Sequence, residues 1–274
     1  MSIVMVKPPD QLNSTMTAYG AEVTKVHSRM LRIPLVLEES CTYWQCWRVD
    51  IPKPSRSQVA FEERWFGSKS MARVQALLSE LNHRFDSYPA FLALLVRWCP
   101  SDFITRQNIC HWHTQLTDPI YRQFTGEFLD QRRSQPGAVV DRDIVSRWVI
   151  ERLGADWSAA TVRRMSMALL TTATAAGVCS DKANVRQLEF PKVTDEALVY
   201  WLYCLRGLSY EGSLLNNPYF RSVGLSEDFL EQRLRRVHGL NFSRMGDLYD
   251  FEWKYPDLQT WAMNTLNLSF EGLL

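Results

Sequence analysis

Apolar residues in this chain recur at spacings of three and four, the spacing that places them on one buried face of a helix. Val74, Leu77, Leu78, Leu81 and Phe85 form one such stripe, and Ile144, Val145, Trp148, Val149 and Leu153 form another. Strand-like alternation is scarce and short, which argues against an all-β fold. The expected class is all-α: a globular helical protein with two helix-turn-helix elements and at most a short β-hairpin.

Breakers and caps divide the pattern. Pro8, Pro9 and Pro34 interrupt the first 34 residues, which show only weak periodicity. Helices are expected over 37–47 and 57–65, separated by the "DIPKPS" break. A third follows Gly67, with Ser68 or Ser70 as its N-cap. Residues 88–135 carry more helix in "PAFLALLVRW" and in "DPIYRQFTGEFLDQRR", where Asp118 and Pro119 make a cap and first-turn pair. After the turn "SQPGAVV", Asp141 opens "DRDIVSRWVIERL" and Gly154 closes it. Only residues 154–157 separate that helix from the next, which Ser158 caps and Gly177 ends.

Two helices joined by about four residues with a glycine in the turn have helix-turn-helix spacing. "VCSDKANVRQLEF" then suggests a short hairpin turning between Asp181 and Asn184, before a helix from about Thr194. This is the order of a winged helix-turn-helix. The expected division is an N-terminal segment of uncertain structure over 1–34, a helical domain with the first helix-turn-helix over 35–135, and one with the second, winged element over 136–274.

Composition limits the partners. Lys plus Arg number 31 against 30 Asp plus Glu, so any basic binding surface has to be local. Ten Trp, ten Tyr and thirteen Phe favour a large core over disorder. The six cysteines lack framework-like spacing and "MSIVMVKPPD" lacks signal-peptide features, which together lead to an expected cytoplasmic location. The longest uncharged apolar run, Ala90 to Val96, is far shorter than the roughly 20 residues of a spanning helix, so no membrane association is expected.

The stretch "DWSAATVRRMSMALLTTATAAGV" holds two adjacent arginines and no acid between Asp156 and Asp181. At 100° per residue, Val162, Met165, Leu169, Ala173 and Ala176 share one side. Ala160, Arg163, Arg164, Met167, Thr171 and Thr174 share the other. A face of arginines among small uncharged residues suits entry into a DNA groove. Guanidinium forks match phosphate or the guanine edge, and small residues allow close approach. An acid there would oppose phosphate contact. The same composition also occurs in helices that are purely structural. The earlier helix repeats the theme: Lys69, Ala72, Ala76, Ser79 and His83 face outward beside Arg73 and Gln75. "SMARVQALL" aligns with "TVRRMSMALL", placing Arg73 on Arg164, Val74 on Met165 and Leu78 on Leu169.

Four blocks, in order, carry a family resemblance: "FEERWFGSKSMARVQALLSELNHRF", "CHWHTQLTDPIYRQFTGEFLDQRRS", "DWSAATVRRMSMALL" and "FSRMGDLYDFEW". Across roughly residues 35–255 they resemble the BrxA family, helical core components of bacteriophage-exclusion (BREX) defence systems. The resemblance lies in order, spacing and residue type, without a catalytic signature. It implies an all-helical fold with two helix-turn-helix elements, on 70–85 and 158–176, together with DNA binding beside a DNA methyltransferase and other defence proteins. Residues 1–34 match nothing in it.

Other signals carry less. Cys110, His111 and His113 in "CHWH" are metal-ligand types, but a structural zinc site needs four spaced ligands and no second cluster completes one, so core packing or solvent exposure is the expected role. No phosphate-binding-loop, dinucleotide, zinc-protease, serine-hydrolase or kinase signature is present, and Glu62, Glu63, Asp141 and Asp143 fit helix starts or surface charges. "EDFLEQRLRRVHGL" fits an amphipathic helix over 227–240, and the aromatic, acidic "DLYDFEWKYPDLQTW" suits packing or a protein contact. The expectation is therefore a non-enzymatic duplex-DNA binder without metal or cofactor. Arg163, Arg164, Lys69 and Arg73 are its main contacts, and Thr161 and Thr171 are lesser ones. A protein assembly adaptor and a structured-RNA binder are the alternatives.

Overall fold

The computed structural model describes residues 18–153, 157–181, 184–246 and 248–270. Helix dominates, and the strands form two short two-stranded antiparallel sheets. A 3-10 turn, Arg29–Leu31, precedes α1 (Leu37–Cys46), α2 (Arg56–Glu62) and α3 (Met71–Leu81). Ser70 is the N-cap of α3, its side chain accepting from the Arg73 amide, and the whole stripe from Val74 to Phe85 is buried. A π turn, Asn82–Asp86, extends this helix before α4 (Pro89–Trp98).

The centre of the protein is α5 (Phe103–Thr117), the helix that carries "CHWH". Trp112 of α5 stacks on Trp201 of α10 (Asp195–Arg206) at 5.6 Å, and the two helices share the core. His113 Nε2 lies 2.7 Å from the Tyr200 hydroxyl; His111 sits between the Tyr121 and Ser222 hydroxyls, each at 2.9 Å. Both histidines are thus polar members of a packed core. Among the described residues no group of His, Cys, Asp and Glu is arranged to hold a metal ion. These contacts cross the division expected at residue 135, and one buried cluster runs through both halves.

After α5 the chain continues through α6 (Pro119–Gln123), a π turn (Phe124–Phe128) and α7 (Leu129–Arg133). Asp118 caps this run by accepting from the Tyr121 amide at 2.9 Å. Gly126 is required there because α11 (Pro218–Ser222) crosses at that point; a Cβ on Gly126 would come within 2.6 Å of Pro218 Cβ.

The segment expected to form the second helix-turn-helix follows. Strand β1 (Val139–Asp141) leads into α8 (Arg142–Leu153), whose first turn is capped by Asp141 accepting from the Ile144 amide at 2.7 Å. Gly154, expected to close α8, lies outside the described residues. Helix α9 (Ala159–Ala175) packs against α8, and Ser146 Oγ meets Ser166 Oγ at 3.0 Å at their crossing. The chain then returns through residues 178–180 to β2 (Val185–Gln187). The Ser180 amide donates to Gln187 O and the Glu189 amide to Val178 O, as a hairpin requires. On its other edge β2 pairs with β1, Val139 opposite Gln187 and Asp141 opposite Val185. Three chain segments therefore lie side by side, one more than the expected hairpin.

The C-terminal part departs from expectation. The helix expected over 227–240 stops early: α12 spans Glu227–Leu234, and Leu240 begins a strand. Strands β3 (Leu240–Met245) and β4 (Leu248–Trp253) form a hairpin whose tip pairs Met245 with Leu248 across two residues. Gly246 at φ +63° supplies the left-handed conformation that such a turn demands. The Phe242, Phe251 and Trp253 rings pack along the hairpin, and α13 (Leu258–Thr265) closes the described chain. Among the described residues no helix is long and apolar enough to cross a membrane.

Candidate nucleic-acid interface

Helix α9 divides into two faces as its periodicity requires. Val162, Met165, Leu169, Ala173 and Ala176 are all buried; Ala160, Arg163, Arg164, Met167 and Thr171 are all exposed. Thr174 is half-buried, and its hydroxyl accepts from Arg186. The buried side fixes the helix in place, and losing one such side chain, as in Leu169→Ala, costs roughly 2–5 kcal/mol. The exposed side is left to carry the arginines.

The helix start is built by Ser158. Its Oγ accepts from the Thr161 amide at 3.3 Å and lies 2.9 Å from Thr161 Oγ1. Thr161 is therefore half-buried and committed to the cap, whereas Thr171 stands exposed on the open face. Arg163 and Arg164 sit one turn beyond the cap with no ion pair to any described residue. Uncompensated guanidinium groups on an acid-free face provide the local positive potential that the balanced overall charge denies elsewhere.

Helix α8, packed against α9, also exposes Arg142 and Arg147, along with the acids Asp143 and Glu151. Arg142 lies 3.5 Å from the exposed Asp143, a weak surface pair, and Arg147 forms no ion pair with a described residue. Their signal was the position of Arg147 opposite the Val145 and Val149 stripe. Asp181 is exposed; Lys182, in the turn expected between Asp181 and Asn184, lies outside the described residues.

The earlier helix is less open. Arg73 is exposed but directs Nη1 toward the carbonyl of Arg32 at 3.4 Å. Lys69 Nζ lies 3.5 Å from Glu39 of α1, so a carboxylate from thirty residues upstream offsets its charge. The sequence echo is nonetheless structural: Arg73 and Arg164 are both exposed, and Val74, Met165, Leu78 and Leu169 are all buried. The 3-10 turn Arg29–Leu31 packs against α9, and Arg29 Nη1 reaches Ser79 of α3 at 3.5 Å. Arg73 on α3 and Arg163 and Arg164 on α9 thus lie on two separate helices that this turn links, whereas Lys69, expected on the outward face of α3, sits half-buried in the loop before the Ser70 cap.

Comparison with protein-family models, with characterised proteins and with solved structures finds no match for this chain.

Proposed function

We propose that this chain is a non-enzymatic, duplex-DNA-binding component of a BREX-type phage-defence system, acting beside a DNA methyltransferase. The observation that carries the DNA part is the exposed α9 face, where Arg163 and Arg164 make no ion pair with a described residue and stand among small uncharged residues. In this reading α9 enters the major groove, the hairpin between residues 178 and 189 lies along the backbone, and Arg142 and Arg147 meet flanking phosphates. Arg73 contributes from the first element, and Lys69 contributes less because Glu39 opposes it. The link to phage defence rests on the family resemblance of the four sequence blocks.

The test is a salt titration of duplex binding by the purified chain. Binding that is absent, or that Arg163→Ala with Arg164→Ala leaves unchanged, sinks the proposal. A second reading, an assembly adaptor, is favoured by the tip of the β3–β4 hairpin, where Met245 is 80% and Leu248 76% exposed. Adaptor action predicts salt-insensitive, weak nucleic-acid binding and firm co-purification with a partner through that tip.

A further inference from the structure

A concave pocket of about 460 Å³ lies between the 3-10 turn, the loop before α2, and the outer side of α3. Three cations line it from two parts of the chain: Arg29 from the 3-10 turn, and Lys53 and Arg56 from the segment that leads into α2. Among the described residues no carboxylate lines it. Arg56 is buried at the pocket wall, where its Nη1 donates to the Tyr43 hydroxyl at 2.8 Å, to Asn82 at 3.0 Å and to Asp86 at 2.5 Å. Its Nε, equally buried, has no partner.

Charge counting narrows the ligand. Asp86 neutralises one of the three cations, Arg56. Arg29 and Lys53 have no ion pair with any described residue, Arg29 making only the 3.5 Å contact to Ser79 with its guanidinium. The remaining charge of two matches a phosphomonoester, which carries about −1.5 to −2 at neutral pH. The rest of the wall mixes polar and apolar groups: the Gln75 and Asn82 amides and the Ser57 and Ser87 hydroxyls can bind a hydroxylated or heterocyclic body, beside Leu78 and the His83 ring.

Shape separates this site from the proposed DNA surface. A volume within the roughly 300–1,000 Å³ range of small-molecule sites encloses a compact ligand, whereas a duplex presents a convex rail of phosphates. We propose that this pocket binds a small phosphomonoester of nucleotide size, its phosphate held by Arg29 and Lys53 with Arg56 behind them. The site uses neither Arg163 nor Arg164, so it stands independently of the DNA-binding proposal.

The experiment is calorimetric titration of the full chain with AMP, with inorganic phosphate and with adenosine. AMP is expected to bind, phosphate to compete with it, and adenosine to give no signal. Arg29→Gln combined with Lys53→Gln changes one half-buried and one exposed side chain, neither in an ion pair with a described residue, and is expected to weaken AMP at least tenfold with thermal unfolding unchanged. Arg163→Ala with Arg164→Ala is expected to leave AMP binding intact. The proposal is overturned if millimolar AMP and phosphate both fail to bind, or if the Arg29/Lys53 variant binds AMP like the unaltered chain. It is equally overturned if that variant loses affinity for a short duplex while AMP does not bind, which would assign the pocket to backbone phosphate.

Discussion

Arg186 of β2 donates a hydrogen bond of 2.8 Å to the carbonyl of Leu170, in the interior of α9. The same guanidinium donates to Thr174 one turn further on. A single half-buried side chain thereby ties the return strand of the hairpin to the helix that carries Arg163 and Arg164.

Removing that tie should loosen the hairpin without unfolding the core. Hydrogen bonds involving a charged group contribute about 1.5–3 kcal/mol when well formed, and partial exposure of Arg186 places the loss toward the lower end. Arg186→Ala is expected to lower the urea midpoint modestly and to raise amide exchange in residues 178–189. If exchange there is unchanged, the strand is held by its backbone pairing to β1 and to residues 178–180 without help from Arg186.

The two basic helices should respond differently to neutralisation. Each lost phosphate contact on B-DNA lowers the slope of log K against log salt by about 0.9. Arg163→Ala with Arg164→Ala is expected to reduce it by nearly 2, while Lys69→Ala, whose ammonium already faces Glu39 at 3.5 Å, should barely move it. Equal effects at the two sites would mean that the Glu39 pair breaks when DNA binds.

The contrast between those helices also marks how far the sequence could be read. The face division of α9 follows from helical period alone, since burial of Val162, Met165 and Leu169 is a matter of angle. Ser158, Ser70, Asp118 and Thr194 are local caps that act within three residues, and each occupies its expected place. The Lys69–Glu39 pair was not legible, because the contact depends on how α1 lies against α3. The β3–β4 hairpin was hidden differently. Leu230, Leu234 and Val237 keep helical spacing and draw the eye past the true end of α12. The helix has already ended at Leu234, Gly239 at φ +143° stands just before β3, and the alternation of Tyr249, Phe251 and Trp253 with acids after Gly246 was the available strand signal.

A buried ion pair anchors the chain ahead of α1. Arg122 Nε lies 3.3 Å from Glu22, which also accepts from the Tyr219 hydroxyl at 2.5 Å and from the Glu211 amide at 3.0 Å. Both charged groups are almost fully enclosed, so removing one strands the other away from water. Glu22→Ala is expected to cost roughly 3–5 kcal/mol in chemical denaturation. A loss below about 1 kcal/mol, the scale of a surface pair, would show that water reaches Arg122.

Acid should weaken the fold through the "CHWH" helix. Burial, with lesser repulsion from Arg133 and Arg84, pushes His111 and His113 down to about 3. In the unfolded chain each takes up a proton near pH 6.5. Between pH 6.5 and 3 the folded state therefore binds fewer protons, and stability falls as pH drops, by up to about 1.4 kcal/mol per pH unit for each histidine. Asp118 works the other way: burial raises its carboxyl, so the fold binds that proton more readily than the unfolded chain does. The net expectation is a decline that begins near pH 6.5, above the range where ordinary carboxylates titrate. His111→Gln keeps a polar group beside Tyr121 and Ser222 but removes one titrating site. Its stability, measured by urea unfolding from pH 7 to 4.5, should start lower and fall with a slope shallower by about one proton. An unchanged slope would mean that His111 is already charged within the folded core.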